Sequence, residues 1–516
     1  MAANPKVPML SIFDSAPWPA CPAPFNLAAH ALAAADRLPD KLALQVVRPD
    51  GAERWSYARL AAAVRGTGAG LLGLGLAPGD RVLMRLGNTV DFPLVFLGAI
   101  AAGLVPVPTS SQLTGPEVDK IAAEIRPALI VAAPSVAVPA VPGCPVLGLA
   151  ELAALREHAP CDWAMGDPDR LAYLIYTSGT SGRPRAVAHA HRALWARGMM
   201  HQGWYGLTES DRLMHAGAFN WTYTLGTGLM DPWSVGATAL IPAEGVRPDQ
   251  LAMLMKRFDA TIFAAAPGVY RQMLRAPLPP LPRLRHGLSA GEKLPDAVRE
   301  AWVATTGTPV CEALGMSEVS TFVSTPPGRT APPGATGWPQ PGRRVAVLGD
   351  DGAPVPRGTP GTLAVHRTDP GLFLGYLNQP EDTAARYAGD WFLTGDTVSM
   401  AEDGAITYLG RDDDMMNAGG YRVSPLEVER AMNAHPSIEE SAAVELEVKP
   451  GTTVIALFYT GQDTAPEQLA AFAETCLARY KQPRLFIHRA TLPKGANNKL
   501  ARKALRQGWT PGGPNA

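Results

Sequence analysis

Tyr176-Thr177-Ser178-Gly179-Thr180-Ser181-Gly182-Arg183-Pro184-Arg185 decides how the rest of this chain is read. Two small hydroxyl–glycine units stand back to back, directly after the apolar run 171–176, and the cation of Arg185 follows. Glycine lacks the Cβ that would hold a ligand off, so the backbone N–H groups and hydroxyls of such a loop can crowd around phosphate oxygens. The loop is not of the Gly-x-x-x-x-Gly-Lys-Ser/Thr kind, because Arg183 follows Gly182 and Pro184 follows Arg183. Ser/Thr/Gly clusters are ordinarily plain turns, so the choice falls to residues downstream.

A β–α rhythm runs outward from this loop. Downstream, a helix from His191 and then segments at 213–215, 237–241, 250–258 and 261–264 predict one α/β unit. Upstream, helical spacing at 28–36, 56–74 and 92–102 alternates with strand patterns at 42–47, 81–85 and 105–108, predicting another. Such alternation implies doubly wound parallel sheets. From about 332 to 407 the texture changes to short strands and Gly/Pro turns, indicating a small β-rich unit. Past Arg411 come Asp412-Asp413-Asp414, Gly419-Gly420 and a helix candidate at 425–434. The boundary is placed there, giving an N-terminal domain of residues 1–411 and a C-terminal domain of residues 412–516.

Composition narrows the function classes. At 516 residues the chain is too long for one ordinary domain, and 47% hydrophobic residues suffice for large cores. A formal charge of −1 argues against an electrostatic grip on nucleic acid. The five cysteines are scattered, with no Cys-x-x-Cys pair, which suits a reducing cytoplasm. Residues 1–20 lack the pattern of a secretory signal. The most apolar stretch, 92–108, is interrupted by Pro93, Gly98, Gly103 and Pro106. A membrane span needs about 20 apolar residues, so this stretch reads as a buried helix entering a strand.

Further motifs follow the loop in a fixed order: Ser289-Ala290-Gly291-Glu292; Glu312-Ala313-Leu314-Gly315-Met316-Ser317-Glu318; Trp391-Phe392-Leu393-Thr394-Gly395-Asp396; Tyr408-Leu409-Gly410-Arg411; and Leu492-Pro493-Lys494 leading to Lys499. With the loop, this ordered set resembles the adenylate-forming superfamily of acyl- and aryl-CoA synthetases, peptide-synthetase adenylation domains and luciferases. The stretches 91–108, Tyr223-Thr224-Leu225-Gly226, 289–295, Thr336-Gly337-Trp338-Pro339 and Tyr480-Lys481-Gln482-Pro483-Arg484 look most like benzoate-CoA ligases and related aryl or medium-chain acid ligases. The resemblance implies two doubly wound α/β subdomains plus a small β-barrel-like subdomain in the large domain. It also implies a small, mobile α+β C-terminal domain.

The implied chemistry activates a carboxylate, a poor electrophile, with ATP. The acid attacks the α-phosphate, pyrophosphate leaves, and a thiol then displaces AMP from the acyl-adenylate. By resemblance, Thr177, Ser178, Gly179, Thr180, Ser181 and Gly182 hold the β- and γ-phosphates, and Arg185 adds charge where relatives usually carry lysine. Glu318 is the implied Mg²⁺ ligand, with Thr180 a second oxygen donor. Gly291, Glu292, Lys293 and Glu312 flank the adenine, and Ser317 replaces the usual threonine beside them. Asp396 and Arg411 hold the ribose, and Lys499 bridges the acid carboxylate and the α-phosphate. Around Lys499 the usual Thr-x-Ser-Gly-Lys has become Gly495-Ala496-Asn497-Asn498-Lys499. Asp413 is the implied hinge, Gly419 and Gly420 line the coenzyme A tunnel, and Arg422 contacts phosphate or stabilises one domain orientation.

For the acid, Phe219, Trp221 and Tyr223 suggest an aromatic wall, with Ala290 small beside it. Acetate-specific relatives carry tryptophan where Gly315 stands, so a glycine implies a deeper cavity. No arginine or histidine is evidently aimed at a second substrate charge. Three readings stay open: an acid:CoA ligase for an aromatic or related bulky acid such as benzoate, a stand-alone adenylation enzyme loading an acyl carrier protein, and a catalytically impaired nucleotide-binding sensor. The first takes ATP, Mg²⁺ and coenzyme A, expects small-molecule partners and no membrane span, and leaves a homodimer open.

Overall fold

The computed structural model describes residues 9–177, 185–411, 414–418, 421–449, 452–477, 479–495 and 500–509. The chain forms two compact units: Phe13–Arg344 with His366–Asp390, and Met1–Ile12 with Val345–Val365 and Trp391–Ala516. The 411/412 boundary read from sequence lies inside the second unit.

The first unit is built on a nine-stranded sheet. Its parallel strands lie in the spatial order Leu42–Arg48, Thr238–Pro242, Arg212–His215, Ile262–Ala265, His286–Ala290 and Val310–Met316. Antiparallel strands close the edges, Gly51–Ser56 on one side, Ser320–Ser324 and Trp338–Pro339 on the other. Covered on both faces, the inner strands read as near-continuous apolar runs, such as Ile262-Phe263-Ala264-Ala265. The strand order reverses at Arg212–His215. From it the chain passes to Thr238–Pro242 on one side, then recrosses to Ile262–Ala265 on the other. A reversal of this kind opens a crevice at the C-terminal ends of the strands.

A four-stranded parallel sheet accompanies it, ordered Val105–Pro108, Arg81–Arg85, Leu129–Ala132, Val146–Leu147. Its neighbouring helices arise from local signals. Ser56 accepts the Arg59 N–H at 3.3 Å and so starts the helix Tyr57–Gly73. The helix Asp91–Ala101 is buried at every position after Asp91, as an all-round apolar helix must be. Among the described residues no helix is long and apolar enough to cross a membrane.

Two placements differ from the sequence expectation. The strand Leu42–Arg48, read at 42–47 as part of the upstream unit, joins the large sheet beside Thr238–Pro242, and Gly51–Ser56, for which no strand was expected, pairs antiparallel with it. The apolar run Leu171–Thr177 enters no parallel sheet. It pairs antiparallel with Arg185–Ala190, Thr177 opposite Arg185, and Gly375–Tyr376 adds a third strand. Residues 178–184, outside the described residues, therefore join two strands of a hairpin rather than a strand and a helix.

In the second unit, Arg344–Leu348 pairs antiparallel with Gly361–His366, and Trp391–Met400 with Ile406–Arg411, giving the β-rich segment read from the Gly/Pro turns. Further along, Ile438–Lys449 pairs antiparallel with Thr452–Gly461, which Leu485–His488 joins in parallel. The helices Pro425–Met432 and Pro466–Cys476 contribute Val428, Met432 and Leu469 to a core with Leu457. This is the α+β segment expected there.

Candidate active site

Thr177 and Arg185 stand opposite each other as the last pair of the two antiparallel strands. The Arg185 guanidinium lies 3.3 Å from Asp382 and 5.0 Å from the centre of the Tyr376 ring. Tyr376 stands opposite Val187 and donates its phenolic hydrogen to Glu318 Oε1 at 2.7 Å. Burial, followed by the adjacent Glu318 carboxylate, pushes the Tyr376 phenol well above its ordinary pKa. Arg185 and Glu318 are thus joined through one tyrosine that sequence reasoning missed. Its only signal was a Gly-Tyr pair 58 residues beyond Glu318.

Glu318 follows the strand Val310–Met316, with half-buried Ser317 between them. It is 8% exposed, and among the described residues no cation comes within ion-pair distance of it. No described cluster of three His, Cys, Asp or Glu residues gathers around a metal position. A single inward carboxylate, held by a neutral donor, fits a hard cation that takes its other oxygens from phosphate and water.

Gly291, Glu292 and Lys293 leave the C-terminal end of His286–Ala290, the parallel neighbour of the strand carrying Glu312. Glu312 is caged. Its Oε2 lies 3.1 Å from Lys293 Nζ and 2.6 Å from an Arg299 nitrogen, while Oε1 accepts the Leu294 N–H at 3.0 Å. Gly291 has φ +97°, and a Cβ there would stand 2.6 Å from the Trp221 ring, so only glycine fits.

The expected aromatic wall is divided. Trp221 and Tyr223 meet edge to face at 5.1 Å, in the cluster that also holds Ala290 and Ala313. Phe219 belongs to a different core, packed 5.2 Å from Phe92. Gly315 also has another reason to be glycine. At a bulge between Leu314 and Gly315, an added Cβ would lie 2.4 Å from the Ser320 carbonyl oxygen and 2.5 Å from Thr321 Cα. Backbone crowding excludes a side chain there, so the residue cannot be read simply as space left for a larger acid. His215, which the sequence placed only at the end of the segment 213–215 and not among the site candidates, ends the strand at the sheet reversal, its ring centre 4.4 Å from that of Tyr223.

The second unit holds Asp396 and Arg411, opposite each other in adjacent strands. One guanidinium nitrogen sits 3.2 Å from Asp396 Oδ1 and 3.0 Å from the Thr394 carbonyl oxygen. Beyond them, Arg502 forms a two-pronged pair with buried Glu429, its nearest approach 2.7 Å, and lies 3.6 Å from Asp414. Ser178, Gly179, Thr180, Ser181, Gly182, Asp413, Gly419, Gly420, Lys499 and the Arg422 side chain lie outside the described residues.

Residues 32–377 match the model of a family described as AMP-binding enzyme. The benzoate–CoA ligase of Thauera aromatica is 34% identical over 489 residues, 89% of this chain and 91% of that one. A 4-hydroxybenzoate–CoA/benzoate–CoA ligase of Rhodopseudomonas palustris is 30% identical over 481 residues, 88% of each chain. Among solved structures, a benzoate CoA ligase from Burkholderia xenovorans LB400 aligns with a TM-score of 0.82 at 29% identity, over 93% of this chain and 100% of that one.

Proposed function

The chain belongs to the AMP-binding enzyme family, and from that premise we propose that it is an ATP-dependent acid:CoA ligase whose acid is benzoate or a related aromatic. The observation that carries this reading is the match, over almost the whole chain, to ligases named for benzoate. Loading of a carrier protein and loss of catalysis find no comparable support.

The acid carboxylate attacks the α-phosphorus of ATP and pyrophosphate leaves. The CoA thiol then attacks the acyl carbon, and AMP leaves with the electrons of the broken anhydride bond. Residues 177–182 hold the β- and γ-phosphates, with Arg185 tethering the hairpin base through Asp382 and Tyr376. Glu318 and Thr180 would hold Mg²⁺, which when bound would neutralise phosphate charge. Tyr376 fixes the rotamer of Glu318 by its hydrogen bond. Lys499 offsets repulsion between carboxylate and phosphate as they approach. Gly291, Glu292, Lys293 and Glu312 flank the adenine, and Asp396 and Arg411 take the ribose hydroxyls. The second step uses Asp413 as hinge and Gly419 and Gly420, which carry no side chain to obstruct the thiol, while Arg422 contacts phosphate or stabilises one domain orientation. The reaction belongs in the cytoplasm, where ATP and CoA are supplied.

The test is pyrophosphate and AMP release, with CoA, over aromatic, alicyclic and short- to medium-chain acids. Aromatic acids are expected to lead, with one AMP formed per thioester. Release with no acid, or acceptance of a carrier protein in preference to CoA, overturns the reading.

A further inference from the structure

The ligase reading leaves open what the acid's ring carries, and the crevice at the sheet reversal bears on it. His215 is the last residue of Arg212–His215, the strand about which the order turns, and it stands opposite Ala264. Ligands of open α/β sheets bind at the carboxyl ends of strands at such a reversal. The imidazole is fully buried, and among the described residues neither ring nitrogen has a hydrogen-bond partner. Thr224 opens the π-helical segment Thr224–Met230, and its hydroxyl is likewise buried and unpartnered. Both groups crowd one point: a Cβ on Gly217 would stand 2.2 Å from Thr224 Oγ1 and 3.1 Å from His215 Nδ1. The segment after His215 lines a cavity of about 280 Å³ through Ala216, Gly217 and Ala218, and His215 and Thr224 stand behind that wall, against Gly217.

Buried polar groups are nearly always satisfied, so two orphans side by side at a ligand crevice call for a partner from outside the chain. π-Helical turns also recur at functional sites. The partner's charge can be inferred. Burial holds the His215 pKa down at about 3, so the ring is neutral near pH 7, with one N–H to donate and one lone pair to accept. The cation nearest the π-helical segment, Arg197, is already committed to Asp231, with its Nε 2.8 Å from Oδ1. Among the described residues that line the cavity there is no Lys or Arg to balance a second carboxylate.

Resting on the ligase reading, we propose that His215 and Thr224 are specificity-determining residues that read a neutral hydrogen-bonding substituent, hydroxyl or amino, on the ring of an aromatic acid. A site built to hydrogen-bond a substituent discriminates strongly against the analogue lacking it, because its own polar groups are then left unpaired.

The experiment compares kcat/KM for pyrophosphate release across benzoate and its 2-, 3- and 4-hydroxy and amino derivatives, in the wild type and in His215→Leu, His215→Gln and Thr224→Val. At least one derivative is expected to exceed benzoate by about tenfold or more in the wild type. That ratio falls at least tenfold in His215→Leu and Thr224→Val, and His215→Gln restores part of it. The thermal midpoint of His215→Leu holds or rises, since an orphaned polar group is replaced by an apolar one, whereas loss of a purely structural histidine lowers it. Derivatives turned over no faster than benzoate by the wild type overturn the proposal, whatever the variants' folding. A ratio unmoved in both variants does the same. Release from benzoate without discrimination leaves the ligase reading standing, while release from no acid removes both.

Discussion

Glu312 and Glu318 are 1% and 8% exposed, yet their surroundings are opposite. Taking a carboxylate out of water costs several kcal/mol. Glu312 recovers that from two cations and a backbone N–H. Glu318 has the neutral Tyr376 hydroxyl. One carboxylate has its charge balanced locally by two cations and a backbone N–H; the other, among the described residues, accepts from a neutral hydroxyl alone, which is what the proposed cation role needs. Equal burial thus covers two different electrostatic surroundings.

The largest expected effect is on the open carboxylate. Glu318→Gln keeps the shape and lowers acid-dependent pyrophosphate release by about a thousandfold, with a thermal midpoint within about 2 °C of wild type. An equal activity loss in Glu312→Gln at unchanged stability breaks the contrast. Lys499→Ala sharpens it by separating the half-reactions. Pyrophosphate release is expected to fall about a hundredfold or more while thioester formation from supplied adenylate continues. If Glu318→Gln slows both steps equally, the open carboxylate serves more than the first.

On the closed side, Glu312→Ala leaves Lys293 and Arg299 without their counter-charge. Both are about a fifth exposed, so the cost is discounted to about 2 kcal/mol. The midpoint then falls about 5 °C, measured by calorimetry. Tyr376→Phe is milder in activity, lowering pyrophosphate release about tenfold, or about 1.4 kcal/mol, and because it leaves the buried Glu318 carboxylate without that donor, the midpoint falls by a few degrees as well.

A further effect is confined to acid. His191 accepts the Leu27 N–H at 3.1 Å, and burial holds both His191 and His215 at about 3, below the ordinary 6.5. With the folded pKa lowered, their stability contribution is complete above pH 6.5 and is lost as pH falls toward 3. His215→Leu should flatten the dependence of the midpoint on pH within that window. An unchanged slope would show that His215 is already protonated in the native state.

Local pattern carried much of the fold. Arg81–Arg85 and Val105–Pro108 appear at the expected positions, and Asp91–Ala101 and Thr238–Pro242 within a residue or so. Partner choice was not local. Nothing around residue 45 announces that Leu44 will pair with Ala239, and an apolar run before a Gly-rich loop reads alike whether its next neighbour is a helix or an antiparallel strand. The same limit governs the site. Glu312 and Glu318 could be singled out as candidates from their motif; Tyr376 could not, because its tie to Glu318 exists only once Gly375–Tyr376 has joined the hairpin. Phe219 looked like a companion of Tyr223 by spacing, and only packing sends it to Phe92. His215 carried no pattern at all until the sheet order placed it at a reversal.

The bulge at Leu314 and Gly315 has a consequence for how this chain can diverge. A glycine with the Ser320 carbonyl oxygen 2.4 Å from its absent Cβ is closed to ordinary codon changes until the neighbouring strand shifts as well. A change of residue here therefore has to come with a change in the backbone of Ser320 and Thr321, so the two strands can only diverge together.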